Sequence, residues 1–304
     1  MRVFLTGGTG AVGRYALPAL LEAGHRVTAV ARSDGKAARL SAAGATPVKV
    51  SIFDRAALAG AVAGHDAIVN LATHVPPLAR AGRRSAWAEH DRIRREASAA
   101  LAGAAEDAGV GRVVQEAITF TYADHGDAWI DEDAPFDVPD PFATAVAAEE
   151  AVARFRAAGG TGVVLRFASF YGPGSDQTEA MLRWARRHVG FLLGRPGGYI
   201  SSIHLADAGA AAAAALAVPA GTYNVADDEP VTKRELAAAA GEAVGARPWV
   251  HVPGPLTPLV VRGQPSAALL ARSHRVANRR FREAAGWAPR YPSVREGLRA
   301  AVAS

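Results

Sequence analysis

The sequence predicts an α/β fold, a Rossmann-type doubly wound parallel sheet with a smaller C-terminal α/β substrate lobe. Three observations lead there. A glycine cluster, Gly7-Gly-Thr-Gly-Ala-Val-Gly13, separates a short apolar run, Val3 to Leu5, from a helix-favouring Ala/Leu stretch, Arg14 to Ala23. Apolar strand-like runs then alternate with helical stretches, which implies right-handed crossovers and parallel pairing. Of the 304 residues, 50% are hydrophobic and 21% charged, which gives a sizeable core and argues against disorder.

The glycines have a chemical reading. Strand, glycine turn and helix form a dinucleotide-binding entry, in which one glycine permits a tight turn, one admits the pyrophosphate and one lets helix and strand pack closely. The helix N-terminus then offers free N–H groups to the phosphates. Gly8, Gly10 and Gly13 fit G-x-G-x-x-G, whereas Thr6, Gly7, Gly10 and Gly13 fit T-G-x-x-G-x-x-G. The expected phosphate-side residues are Gly7, Thr9, Gly10, Ala11, Val12 and Gly13.

Composition removes several function classes. There are no cysteines, so disulfides, thiolate metal sites and a cysteine nucleophile are excluded. The nine histidines show no metal-ligand spacing, and no P-loop pattern occurs. The net charge of +5 comes from scattered arginines without an aromatic-basic stripe, so no nucleic-acid partner is expected. The most apolar run, Ala208 to Val218, is too short to span a bilayer, and strand-like residues begin at Arg2. The expectation is a cytoplasmic protein with no membrane partner; its oligomeric state stays open.

Along the chain, His25 to Ala31 reads as the second strand. An NAD-binding Rossmann unit usually has an acid near this end, to hold the ribose 2′-hydroxyl. Here Ala31 is followed by Arg32 and Ser33, with Lys36 and Arg39 beyond. A guanidinium binds a 2′-phosphate through paired hydrogen bonds, so NADPH is expected, with NADH weaker. Strands follow at Thr46 to Val50, His65 to Leu71, Arg112 to Ile118 and Thr161 to Phe167, with a long helix over Trp87 to Ala108. Ligands are expected at the carboxyl ends of these strands. Residues 1–170, completed by segments around 200–228, are expected to form the nucleotide domain; 171–199 and 229–304 form the substrate lobe.

These motifs resemble the short-chain dehydrogenase/reductase superfamily, in its extended, epimerase/dehydratase-like branch. The resemblance covers nearly the whole chain. It implies adenine-side contacts from Ser51 and Ile52, where the family's first acid is replaced by serine. It also implies a turn under the ribose and pyrophosphate at Leu71, Ala72 and Thr73, and a nicotinamide-side turn involving Phe167, Ser169 and Phe170. Ser201-Ser-Ile-His204-Leu-Ala-Asp207 resembles I-H-V-x-D, which puts His204 beside the substrate cleft and Asp207 at a helix cap.

The family's Ser-Tyr-Lys triad is missing. Laid over the motifs, the serine position falls on Ile118, the tyrosine on Phe142 and the lysine on Val146. Thr119 stands one residue from the serine position, and Tyr122 in the neighbouring turn. No catalytic residue is therefore assigned, and Ile118, Thr119, Tyr122, Phe142, Phe170 and His204 are expected substrate contacts. Pro248 to Pro258 is proline-rich, with Trp249 and His251 as possible wall residues.

Losing a general acid forfeits about 10²–10⁴ in rate without forbidding reduction. Three functions follow from that pattern. The first is an NADPH-dependent ketoreductase for a bulky aromatic (polyketide, angucyclinone-like) ketone, with the proton supplied by substrate or solvent. The second is a non-catalytic NADP(H)-binding regulator, and the third a nucleotide-sugar epimerase or dehydratase.

Overall fold

A computed structural model describes residues 1–76, 80, 83–138, 140–191, 194–247, 250–252 and 271–303. Seven strands form one wholly parallel sheet: β1 (Arg2–Thr6), β2 (Arg26–Val30), β3 (Thr46–Val48), β4 (Ala67–Asn70), β5 (Arg112–Ile118), β6 (Thr161–Phe167) and β7 (Gly221–Val225). Their spatial order is β3-β2-β1-β4-β5-β6-β7. The chain runs outward from β1 to β3, then crosses back to place β4 on the other side of β1. That reversal opens a crevice beyond the carboxyl ends of β1 and β4, where open α/β sheets bind ligands.

Helices cover both faces. They are α1 (Gly13–Glu22), α2 (Asp34–Ala42), α3 (Arg55–Val62), α4 (Ala88–Arg92), α5 (Ser98–Asp107) and α6 (Ala147–Ala157). Beyond them lie α7 (Asp176–Ala185), α8 (Leu205–Ala214), α9 (Lys233–Ala243), α10 (Arg279–Ala285) and α11 (Val294–Ala303). One core joins Val3 and Leu5 to Leu17 and Leu20 of α1, Leu40 of α2, the alanines of α8 and Phe281 of α10. The opposite core joins Phe4 and Ile68 to Leu58 of α3, Leu101 of α5 and Phe155 of α6. Alternate residues of β1 thus serve opposite faces, as strand geometry requires. A third, smaller cluster packs Leu182 of α7, Ala239 and Ala240 of α9 and Leu298 of α11 around Tyr171.

Several element boundaries differ from the sequence expectation. The third strand stops at Val48, and the fourth spans Ala67–Asn70. The long helix is interrupted, because a π-helical turn at Ile93–Ala97 lies between α4 and α5. Arg94 in that turn is 2% exposed and pairs with Glu116 of β5 at 2.7 Å. The helix following Ser175 ends at Ala185, and His188 takes a left-handed φ of 61°. The chain there turns into a strand, Val189–Phe191, which pairs with Val250–Val252.

The contact between α1 and α8 explains the alanine-rich composition of α8. A Cβ on Gly209 would lie 2.6 Å from the Tyr15 carbonyl carbon and 2.7 Å from the Ala16 nitrogen, so the two helix backbones touch. Gly209→Ala is expected to cost about 1–3 kcal/mol through overpacking. A urea unfolding midpoint unchanged from the parent protein would overturn this account of the α1–α8 contact.

Candidate functional site

The crevice is built first from glycine. Gly7 has φ +73°, and a Cβ there would strike the backbone of Leu71 and Ala72 at the end of β4. Gly13, the first residue of α1, has no room for a Cβ against Gly7 and Gly8. The Gly10 N–H donates to the Gly7 carbonyl at 2.8 Å, while Gly10 and Ala11 stay exposed at the mouth. Of the two glycine spacings, the structure gives close-approach roles to Gly7, Gly10 and Gly13. Gly8 instead faces the side chains of Leu5 and Leu40, a packing role.

Under this loop runs a buried polar ladder. The Asn70 amide oxygen accepts from the Thr6 hydroxyl and from the Ala72 N–H at 3.2 Å. Its amide nitrogen donates to Gln115 at 2.8 Å, and Gln115 donates to the Glu116 carbonyl at 2.8 Å. The ladder links the ends of β1 and β4 to β5 and fixes the path of Leu71 and Ala72. Sequence reasoning missed it. The signal was present as three polar residues inside otherwise apolar strands, since such residues are retained in a core when fully hydrogen-bonded.

Around the crevice, Arg32 and Ser33 follow β2 and are exposed, and Ser33 caps α2 by accepting from the Lys36 N–H at 3.4 Å. Burial and then the charges of Arg32 and Arg39 hold the Lys36 pKa below its ordinary value, so these three cations lie together. Asp34, the nearest acid, is engaged by Lys49 at 2.5 Å. Ser51 accepts from the Phe53 N–H at 3.3 Å, and the Arg92 guanidinium sits 3.8 Å from the Phe53 ring centroid. Thr73 is exposed and bonds His90 at 3.3 Å. Burial pushes His90 down to about 3, so it is neutral at physiological pH.

Beyond β5, Thr119–Thr121 forms a single 3₁₀ turn. Thr119 and Phe120 line a narrow cleft with Tyr199, Ile200, Ser201, Arg272 and His274, a cavity of about 10 Å³ with room for about one water molecule. The last five residues were not anticipated, because they approach from segments 80 or more positions later in the chain. Burial pushes His274 down to about 4, and its Nε2 lies 3.1 Å from the Tyr122 carbonyl.

Three expected contacts are corrected. Tyr122 is fully buried; its hydroxyl donates to Asn224 at 2.8 Å and accepts from Arg166 at 2.7 Å. Burial raises it to about 12, so it anchors the turn and presents nothing to a substrate. Phe167 is fully buried, its ring 5.4 Å from that of Phe170, so the accessible surface after β6 is left to half-buried Ser169 and Phe170. His204 is 4% exposed, caps α8 by accepting from the Ala206 N–H at 3.2 Å, and lies between the Tyr171 and Tyr291 rings. Its Nε2 is buried without a hydrogen-bond partner.

The remaining triad positions separate. Ile118, half-buried, ends β5 beside Thr119, whereas Val146 lines a different groove with Phe136, Glu149 and Arg156. Phe142 lies in the 3₁₀ turn Asp140–Ala145, its side chain outside the described residues, as are Trp249 and the side chain of His251. Asp207 accepts from the N–H groups of Arg290 and Tyr291, at 2.9 and 3.1 Å, and ties the tail to α8 rather than capping it.

A dinucleotide-binding Rossmann sheet with a glycine cradle at its switch point defines the class. The chain belongs to the NAD dependent epimerase/dehydratase family, which it matches over residues 3–226. It is an atypical extended short-chain dehydrogenase/reductase, and an oxidoreductase. It is 34% identical to a 3-diazoavenalumate denitrifying reductase from a Streptomyces species, over 98% of this chain and 99% of that one. A 4-hydroxy-2-methyl-3-oxo-4-farnesyl-3,4-dihydroquinoline-1-oxide ketoreductase of Stigmatella aurantiaca is 33% identical over 55% of this chain and 49% of its own. Among solved structures, a human epimerase family protein with NADPH is 25% identical, with a TM-score of 0.81 and complete coverage of both chains. A UDP-glucose 4-epimerase from Thermotoga maritima shares the fold at 18% identity and a TM-score of 0.80, covering 100% of this chain and 98% of its own. Among the described residues no helix is long and apolar enough to cross a membrane.

Close to the tail, Asp227 is buried beside the Tyr171 hydroxyl and the His204 backbone, but neither carboxylate oxygen has a hydrogen bond of good geometry, and the Tyr171 hydroxyl also lies 3.2 Å from the Ser293 carbonyl. Burial raises the Asp227 pKa well above the ordinary carboxylate range. The folded protein therefore holds a proton that the unfolded chain releases. Stability from this group is full below the unfolded pKa of 3.8 and is lost as pH rises through the folded value. Asp227→Asn is expected to raise the melting temperature by roughly 2–4 °C at pH 8 and by less at pH 5. An equal shift at both pH values would contradict this.

Proposed function

We propose that the protein is an NADPH-dependent reductase of a flat aromatic substrate that accepts hydride without a proton from a protein tyrosine. One observation carries this reading: the glycine cradle is intact, whereas the positions that the family resemblance gives to its acid–base pair are occupied in sequence by Phe142 and Val146. Gly7, Gly10 and Gly13 fit a pyrophosphate, and the exposed Gly10 and Ala11 leave it open backbone. Arg32, with Lys36 and Arg39 beside it, fits a 2′-phosphate; Ser33, Ser51, Ile52, Leu71, Ala72 and Thr73 fit the rest of the dinucleotide. When bound, the nicotinamide supplies hydride.

Electron accounting then narrows the substrate. A ketone needs a hydride and a proton, so its reduction suffers from a missing acid. An arenediazonium ion needs the hydride alone. Hydride adds to the terminal nitrogen to give Ar–N=N–H; the carbon–nitrogen bond breaks, that hydrogen passes to the ring carbon as a proton, N₂ leaves and Ar–H remains. The Streptomyces relative, similar over its whole length and named for denitrifying a diazo compound, supports an aromatic diazo substrate as the first reading.

A second reading is the reduction of a polyketide-type, angucyclinone-like aryl ketone whose adjacent hydroxyl supplies the proton. The Stigmatella ketoreductase relative favours it.

The deciding experiment follows NADPH oxidation and N₂ release with hydroxybenzenediazonium salts, beside aryl ketones with and without a neighbouring hydroxyl. One N₂ per NADPH is expected, and Tyr199→Phe, which removes the phenol from the cleft, should retain at least half the rate. Turnover confined to hydroxyl-bearing ketones selects the second reading. Tight NADPH binding with no turnover on either panel leaves a regulator. Separately, Arg32→Ala should raise the Kd for NADPH at least tenfold more than that for NADH. Equal losses would remove Arg32 from the 2′-phosphate site.

A further inference from the structure

The chain enters α7 through the turn Gly172-Pro-Gly174. Gly172 has φ +126° and Gly174 φ +72°, so both flanks of Pro173 take conformations that favour glycine. The Gly172 N–H donates to the Thr178 hydroxyl of α7 at 3.1 Å, and the Ser175 N–H to the Gly172 carbonyl at 3.2 Å. A Cβ on Gly172 would lie 2.8 Å from His204 Nε2, so the turn rests against the start of α8. Immediately before it runs the strand Ser169–Tyr171, which pairs with Ser202–His204 and carries the half-buried Ser169 and Phe170. The anchor of this turn therefore sets both the place of Phe170 and the start of α7.

That anchor comes from α1. Arg14, the residue after the last glycine of the cradle, donates from Nη2 to the Pro173 carbonyl at 2.6 Å. A Cβ on Gly174 would strike the Arg14 guanidinium, so the cation packs directly on the turn. The Tyr15 hydroxyl donates to the same carbonyl at 3.3 Å. Of the two bonds, the one from arginine is shorter and charge-assisted, and it is the stronger.

Both donors belong to the first turn of α1, which has no side-chain cap. The leading N–H groups of a helix lack intrahelical acceptors, and an uncapped end frays. An anion at that end satisfies them. A pyrophosphate in the Gly7–Gly13 cradle would act as that cap and stiffen the turn to which Pro173 is fastened.

Resting on the dinucleotide-binding part of the reductase reading above, we infer that Arg14 is a positioning residue, through which a dinucleotide held at the glycine cradle fixes the Gly172–Gly174 turn and the start of α7. Arg14 touches no reacting atom. It acts through the Pro173 carbonyl on the segment that carries Ser169 and Phe170.

The test is hydrogen–deuterium exchange of the full chain, with and without saturating NADP⁺, read in peptides covering residues 170–180. Affinities are measured alongside by calorimetric titration. NADP⁺ is expected to slow exchange there by about fivefold, the scale of one helix cap. Arg14→Ala should keep the NADP⁺ Kd within about twofold, as expected of an exposed site, yet lose the slowing. Arg14→Lys should recover part of it, and Tyr15→Phe should retain it. An equal slowing in Arg14→Ala and the parent protein would overturn the inference, because Arg14 would then be a static tether only. Loss of the slowing in Tyr15→Phe rather than in Arg14→Ala would also overturn it. NADP⁺ binding without slowed exchange in the parent protein refutes this inference alone, whereas no NADP⁺ binding at all refutes the dinucleotide reading and this inference with it.

Discussion

The crevice depends on the contact between Gly7 and the Leu71–Ala72 backbone. Two strand ends, β1 and β4, come closer there than any side chain allows. The approach is stable because Thr6, Asn70 and Gln115 satisfy one another beneath it. An unpaired amide at that depth costs about 1–3 kcal/mol, so the ladder works as a unit. It sets the height of the glycine loop and the start of α1, and with them the direction of the free N–H groups.

A second network fixes the opposite lip. Arg166 of β6 holds Glu149 of α6 at 2.7 Å, Tyr122 at 2.7 Å and the Glu132 carbonyl at 2.9 Å. Glu132 in turn accepts from the Asn224 N–H of β7 at 2.8 Å and pairs with Arg280 of α10 at 3.3 Å. Residues from six separate segments thus pin the turn that carries Thr119 and Phe120. Breaking such a pair leaves an uncompensated buried charge, which is far more damaging than its net contribution to stability implies.

The sheet was legible in the sequence because its signals are local: apolar runs of strand length and glycines at fixed offsets; Thr232 and Glu235, which form a capping box, are a local signal of the same kind. Parallel pairing followed from the alternation of strands and helices. The glycine turn was legible for the same reason, since it occupies one short stretch. The cleft beyond β5 was not. Tyr199, Arg272 and His274 reach Thr119 through long-range pairing, such as the Ser201 hydroxyl donating to the His274 carbonyl at 3.1 Å, and no local pattern announces that. Tyr122, Phe167 and His204 misled for a complementary reason. A motif fixes a residue's place in the chain but leaves open whether its side chain faces the cavity or the core.

Replacement of the tyrosine–lysine pair by Phe142 and Val146 also bears on what the protein leaves alone. Cells are crowded with ordinary carbonyl metabolites, and an active site that both donates hydride and protonates oxygen treats many of them as substrates. Without the proton donor, such compounds fall behind by about 10²–10⁴ in rate, whereas a strongly electrophilic guest loses nothing. In the proposed reductase the vacancy would thereby act as a filter on chemical reactivity, sorting compounds by how eagerly they take electrons rather than by shape alone.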